Sequence, residues 1–181
     1  MNNKKLSINE MCQIGSFVAI IIVCAQISIP MPYGVPMTLQ TFAILLAGVV
    51  LGPKKGSIAA LVYVLLGAIG IPVFTAFTGG LGIIFGRTGG FILAFPFVAL
   101  AAGIGGKRKN IFGLILWLVI GTIILFIGGL LMFSFVTSSS LVASFTLVVV
   151  PFIPTEIIKI VMVIILGKVI KKALNRSGII I

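Results

Sequence analysis

Long apolar runs separated by short polar, proline-rich or glycine-rich breaks set the architecture of this chain. Five of the runs, residues 11–29, 56–74, 88–106, 111–135 and 151–170, are long enough to cross about 30 Å of hydrocarbon as helices. Two are shorter: residues 38–51, and residues 141–150 after Thr137-Ser138-Ser139-Ser140. With 181 residues, 60% of them hydrophobic, the chain is expected to form a single all-α integral membrane domain over residues 1–181, with no separate soluble part.

Charge decides how the two short runs are used. Of the 13 Lys and Arg, all but Arg87 and Lys159 fall in four clusters, Lys4/Lys5, Lys54/Lys55, Lys107/Arg108/Lys109 and Lys168/Lys171/Lys172/Arg176. If residues 38–51 cross and 141–150 do not, every cluster falls on the same side, as the positive-inside rule requires. The expectation is therefore six transmembrane helices with both termini cytoplasmic, in spans of approximately 11–29, 38–51, 56–74, 88–106, 111–135 and 151–170. Residues 138–150 become a half-inserted or surface segment. The net charge of +11 then reads as anchoring to an anionic leaflet at a multi-pass cell membrane, with no need of nucleic acid. Lys4 and Lys5 before an apolar run resemble a signal peptide, but the run is long and no A-x-A site follows, so it is read as the retained first span.

Arg87, Glu156 and Lys159 are left as the charges on or near the outer side, where short segments and prolines 30, 32, 36, 72, 151 and 154 also gather. Irregular backbone at membrane depth survives only where it is buried in protein or lines a cavity, so the pattern suggests a pocket open to the outside. Glu156 and Lys159 follow Pro151-Phe152-Ile153-Pro154-Thr155, a helix start with proline in the first turn or Thr155 as N-cap. Their spacing of three puts both on one helix face, and counting back from Lys171 places Lys159 roughly 18 Å from the basic anchor, at 1.5 Å per residue. Two readings stand side by side. The pair is an intrahelical salt bridge that neutralises itself, or a donor and an acceptor aimed at a small polar ligand.

The segment from Thr78 to Phe91 carries Gly79, Gly80, Gly82, Gly86, Gly89 and Gly90 and repeats Thr-Gly-Gly ten residues apart. It lacks the Gly-Lys-Ser/Thr ending of a P-loop, so close approach of backbone to a ligand, or tight helix packing, are the remaining uses. Arg87 is either a carboxylate-binding residue or an interfacial residue reaching for water. Gly15-x-x-x-Ala19 and Ala43-x-x-x-Ala47 are small-residue faces suited to close helix contact, internal or with a membrane partner. With no His and no Asp, triads, metal centres and paired-carboxylate catalysis have no residues to work with, and neither enzyme activity nor a metal or cofactor is expected. Cys12 and Cys24 lie on one predicted helix, about 18 Å apart, too far to pair.

Four motifs in order carry a resemblance: Val35-Pro36-Met37-Thr38-Leu39-Gln40-Thr41-Phe42; Leu65-Leu66-Gly67-Ala68-Ile69-Gly70-Ile71-Pro72-Val73-Phe74; Gly79-Gly80-Leu81-Gly82 with Gly86-Arg87-Thr88-Gly89-Gly90-Phe91; and Pro151-Phe152-Ile153-Pro154-Thr155-Glu156-Ile157-Ile158-Lys159. Together they resemble the BioY family, the biotin-binding substrate (S) components of energy-coupling-factor (ECF) transporters, from the first helix to the last. The family more often has Asp at the position of Glu156, Tyr at that of Phe91 and Ala at that of Gly15.

The resemblance implies a six-helix protein with one outward-opening biotin site. It also implies a transmembrane coupling protein and two cytoplasmic ATPase subunits as partners, with release by toppling in the membrane. On that reading Glu156 accepts from the ureido N–H groups of biotin and Lys159 donates to its carbonyl. Tyr33, Phe77, Phe85 and Phe91 flank the thiophane ring and valeryl chain. Arg87 or the amides around Gly79 and Gly80 hold the carboxylate, and Gly15 and Ala19 face the coupling protein. Alternatives are a subunit for another vitamin, a stand-alone carrier or channel, or a structural subunit without a ligand.

Overall fold

The computed structural model describes residues 7–176; Lys4 and Lys5 of the first basic cluster lie outside them. Helix α1 (Ile8–Gln26) opens with a capping box, in which the Ser7 side chain accepts from the Glu10 amide and the Glu10 carboxylate accepts from the Ser7 amide. Strands β1 (Ser28–Ile29) and β2 (Met37–Thr38) pair antiparallel, Ser28 opposite Thr38, and carry the proline-rich loop between them. After them come α2 (Gln40–Ala68), a single-turn α3 (Leu81–Ile84), α4 (Gly89–Gly106), α5 (Ile111–Thr137), α6 (Leu141–Val148) and α7 (Ile153–Arg176).

Helix α2 is a hairpin rather than one rod. Gly52 sits at φ +82°, a conformation open to glycine and strained for other residues, and Pro53 follows it. The chain turns back on itself there, so that a Cβ on Gly56 would lie 2.7 Å from the Gly48 Cα, and Gln40 at the start of the first arm meets Tyr63 in the second. The two arms of the hairpin, residues 40–51 and 53–68, overlap the second and third expected spans, and α1, α4, α5 and α7 overlap the rest. Among the described residues, five helical stretches are long and apolar enough to cross a membrane, counting the hairpin once and taking α6 and α7 together as Leu141–Leu174. The eight residues of α6 are too short to cross, and Leu141, Val142 and Phe145 on it are exposed.

Helix ends depart from the apolar runs where backbone chemistry overrules hydropathy. The first run continues to Ile29 but α1 stops at Gln26, because Ile29 precedes Pro30 and is held in β1. The run to Phe74 loses its helix at Ala68, ahead of Gly70 at φ +100° and Pro72. In the other direction α5 extends to Thr137, ending at Ser138 in the left-handed region, and α7 runs on through its basic residues to Arg176.

The hairpin lies at the centre, packed on α1, α4 and α7. Its contact with α4 is backbone to backbone: side chains at Gly48 or Gly103 would overlap Ala99 and the Gly52–Pro53 turn respectively. The described basic clusters come to one end of the bundle. Lys54 and Lys55 flank the hairpin turn, Lys55 Nζ donates to Gln13 on α1 at 3.0 Å, and Lys171 Nζ donates to the Gly106 carbonyl at 2.6 Å. Arg87, Glu156 and Lys159 belong to the opposite, loop-rich half.

Candidate functional site

In the loop-rich half a cavity of about 310 Å³ opens between the β1–β2 loop, the first arm of the hairpin, the loop at residues 74–78, α4, α5 and α7. That volume is at the small end of ligand pockets and suits a compact metabolite. Pro30, Gly34, Val35 and Pro36 form its rim on one side and Thr75, Ala76, Thr78 and Thr88 on the other. Its wall is aromatic, made by Phe74, Phe91, Phe95, Phe126 and Phe152.

The polar part of the wall is a three-residue cluster. The 3₁₀ turn Val150–Phe152 delivers the chain into α7 with Pro154 in the first turn, and Thr155 donates to the Phe152 carbonyl at 2.8 Å. Glu156, in that first turn, gains from the positive end of the helix dipole. Lys159 Nζ lies 2.5 Å from Glu156 Oε1, and both residues are buried, at 4% and 3% exposure. Thr41 on α2 closes the triangle: its hydroxyl donates to Glu156 Oε1 at 2.9 Å and accepts from Lys159 Nζ at 2.8 Å.

This cluster is neutral overall but not saturated. Glu156 Oε2 is buried with no hydrogen-bond partner among the described residues. An ammonium has three N–H donors, and two go to Thr41 and Glu156. One carboxylate oxygen and one ammonium proton are therefore available to a ligand. A buried charge pair that leaves an acceptor unmet costs free energy in the empty state, which a ligand bearing adjacent N–H and C=O groups would recover.

Above this cluster a second network props the rim. Thr38 donates to Gln40 Oε1 at 3.0 Å, Thr75 donates to the same oxygen at 3.3 Å, and Gln40 Nε2 donates to Tyr63, which donates to the Val73 carbonyl at 3.2 Å. From the end of α1, Gln26 donates to the Phe74 carbonyl and accepts from the Phe77 amide. It holds a loop in which Ala76 and Phe77 have positive φ.

The sequence-derived residues fall into distinct places. Glu156, Lys159 and Phe91 line the cavity. Arg87 is exposed beside the rim, donating to the Tyr33 carbonyl at 3.2 Å and so joining the β1–β2 loop to the start of α4. Tyr33, Phe77 and Phe85 are exposed at 56%, 71% and 67%, and none of the three borders the cavity. Gly79 and Gly80 also stand off the wall: the Gly80 amide donates to the Gly67 carbonyl at 2.7 Å, and a side chain at Gly79 would overlap the Ile71 carbonyl. Gly15 and Ala19 are exposed on the outer face of α1, whereas Ala43 and Ala47 are fully buried in internal packing.

Thr41, Gln40, Thr38, Thr75 and Gln26 are the residues that sequence reasoning passed over. Their signal was present: polar side chains at the ends of otherwise apolar membrane segments, which burial must satisfy. The aromatic wall has a further support in glycine. The ring of Phe74 lies on Gly67 and that of Phe91 on Gly129, each so close that a methyl group on the glycine would overlap it.

Comparison with known proteins gives a consistent result. Among curated relatives, a protein of Lactococcus lactis subsp. cremoris named "Biotin transporter BioY2" is 38% identical over 181 residues, covering 98% of this chain and 97% of its own. A Pyrococcus horikoshii protein named "Probable biotin transporter BioY" is 44% identical over 151 residues, 83% of this chain and 88% of its own. The fold is similar to a solved structure described as the S-component for biotin from an ECF-type ABC transporter, with a TM-score of 0.82, 29% identity and coverage of 95% of this chain and 94% of that one. The family described as "BioY family" matches residues 1–176, and with that match over nearly the whole length the chain belongs to the BioY family.

Proposed function

We propose that this chain is the biotin-binding S component of an ECF-type vitamin transporter, a membrane transport protein rather than an enzyme. The observation that carries the assignment is the unsaturated Glu156–Lys159–Thr41 cluster inside an aromatic-walled cavity. The ureido ring of biotin has two N–H donors beside one carbonyl acceptor. Glu156 Oε2 accepts from one ring N–H and the remaining Lys159 proton goes to the adjacent carbonyl. Charge-assisted bonds of this kind are roughly twice as strong as neutral ones, which suits capture of a scarce vitamin. Phe91, Phe95 and Phe126 take the thiophane ring and the start of the valeryl chain, which directs the carboxylate to the rim beside Arg87. The names of the relatives and of the structural neighbour support the same ligand.

ATP would be hydrolysed by partner subunits of an ECF module. The exposed small-residue face at Gly15 and Ala19 is the surface for its transmembrane coupling protein, since close helix contact needs small side chains and these have no internal neighbours to serve.

The deciding experiment is titration calorimetry of the purified chain, stripped of ligand in detergent, with biotin and with thiamine and riboflavin as controls. Saturable one-to-one binding at nanomolar biotin, absent for the other two, is the expected result. A folded protein that ignores biotin would overturn the assignment. The cavity faces the cell exterior and both termini the cytoplasm on this reading, because the basic end of the bundle seeks the cytoplasmic side. A reporter active only in the cytoplasm should therefore be active when fused to the C-terminus, and a reporter active only outside should be silent there.

A further inference from the structure

A second cavity, of about 230 Å³, lies at the basic end of the bundle, opposite the first. It is bounded by the α4–α5 turn, the last turns of α7 and Val49 near the tip of the α2 hairpin. Four cations from two separate segments converge on it: Arg108 and Lys109 from the turn, Lys168 and Lys171 from α7. Like charges brought together at the edge of a low-dielectric slab repel one another and call for an anion between them.

The chain's two acidic side chains are committed elsewhere. Glu10 accepts from the Ser7 amide at the start of α1, and Glu156 is paired in the first cavity. Part of the cavity's lining is fixed by packing, although Arg108, Lys109 and Lys168 are themselves exposed. Lys171 is drawn in to donate to the Gly106 carbonyl at 2.6 Å, and Gly106 and Gly167 let the helices close on Val49, whose atoms would lie 2.7 Å and 2.9 Å from Cβ atoms placed on those glycines. Asn110 caps α5 at this point by accepting from the Phe112 amide, so the positive end of a 27-residue helix adds to the field. Beneath the cations the floor is apolar: Val49, Ile111 and Leu114.

From this geometry we infer a binding site for a phosphate oxyanion at the membrane face opposite the biotin cavity, filled by the headgroup of an anionic phospholipid. The cations and the α5 cap hold the phosphate. The apolar floor of Val49, Ile111 and Leu114 takes the glycerol and the first acyl carbons, which is what distinguishes a lipid from free phosphate as the occupant.

The test uses the full chain, delipidated in a neutral detergent, and native mass spectrometry with short-chain phosphatidylglycerol, phosphatidylcholine of the same chain length, and inorganic phosphate. The expected result is one retained phosphatidylglycerol, bound at least about tenfold more tightly than phosphatidylcholine, a difference of roughly 1.4 kcal/mol. The Lys168→Gln/Lys171→Gln variant should lose that preference. A Lys54→Gln/Lys55→Gln variant, with the same loss of charge outside the cavity, should keep it. Thermal melting of both variants without added lipid reports whether each is folded, and an Arg108→Gln/Lys109→Gln variant repeats the test from the other segment if the α7 variant fails to fold. Equal preference in variants of the cavity and of the hairpin turn would overturn the site. Tight binding of inorganic phosphate with no preference between the lipids would overturn the lipid as occupant.

Discussion

Replacing Lys159 by methionine is expected to abolish high-affinity biotin binding while costing stability, and the two effects can be measured separately. The substitution leaves Glu156, 3% exposed, without its counter-ion. Removing one partner of a buried pair costs about 3–5 kcal/mol, unless the carboxyl takes up a proton and ceases to be a charged acceptor. Both routes remove the ammonium proposed to donate to the ureido carbonyl and weaken the acceptor proposed for the adjacent N–H. Hydrogen bonds to charged groups are each worth about 1.5–3 kcal/mol, so losing two weakens binding by roughly a hundredfold to ten-thousandfold. Glu156→Gln keeps the shape and one acceptor, and should fall short of that loss while leaving Lys159 unpaired. Thr41→Val removes only the neutral hydroxyl that braces the pair, and a loss nearer tenfold is expected. Biotin titrations of the three variants, read beside their melting temperatures, should order them in that way. Near-normal affinity in both charge variants would take the pair out of the binding site.

Gly103→Val is expected to yield no folded protein at all. The added side chain would overlap the Gly52–Pro53 backbone, and a turn fixed by proline and a left-handed glycine has no rotamer with which to yield. Overpacking a closed interface costs about 1–3 kcal/mol even where side chains can move, and here the obstacle is main chain. Gly15→Val supplies the control, because nothing lies within 4 Å of a Cβ placed there. Size-exclusion profiles of fluorescent fusions should show a monodisperse peak for Gly15→Val and aggregate for Gly103→Val. A monodisperse Gly103→Val protein would mean that the α2–α4 contact is looser than its geometry says.

Much of this was legible in the sequence, for identifiable reasons. The apolar runs 38–51 and 56–74 break at Gly52-Pro53-Lys54-Lys55, the basic cluster there required the chain to turn, and the hairpin in α2 is at that point. Glu156 and Lys159 were legible because a helix puts residues three apart on one face, a local rule that needs no tertiary knowledge. Thr41 was not, since its partners are 115 and 118 positions away and only the packing of α2 on α7 brings them together. The aromatic wall was harder still. Helices α4 and α5 are apolar all round, so no polar stripe marks which phenylalanines turn inward, and Phe95 and Phe126 carry no sign distinguishing them from the exposed Phe97 or Phe135. Tyr33, Phe77 and Phe85 sit in short irregular segments, where no periodicity tells one side from the other.

The rings of Phe74 and Phe91, resting on Gly67 and Gly129, bear on how the site could diverge. Neither glycine borders the cavity, yet each fixes how far an aromatic ring stands back from its centre. The bore of the cavity is thus written in positions a bound molecule never meets. A single methyl acquired at either would push a ring inward and narrow the site with every contact residue unchanged. Selection for a slimmer or broader ligand can therefore act on helix packing alone, and two chains with identical cavity linings can differ in what they admit.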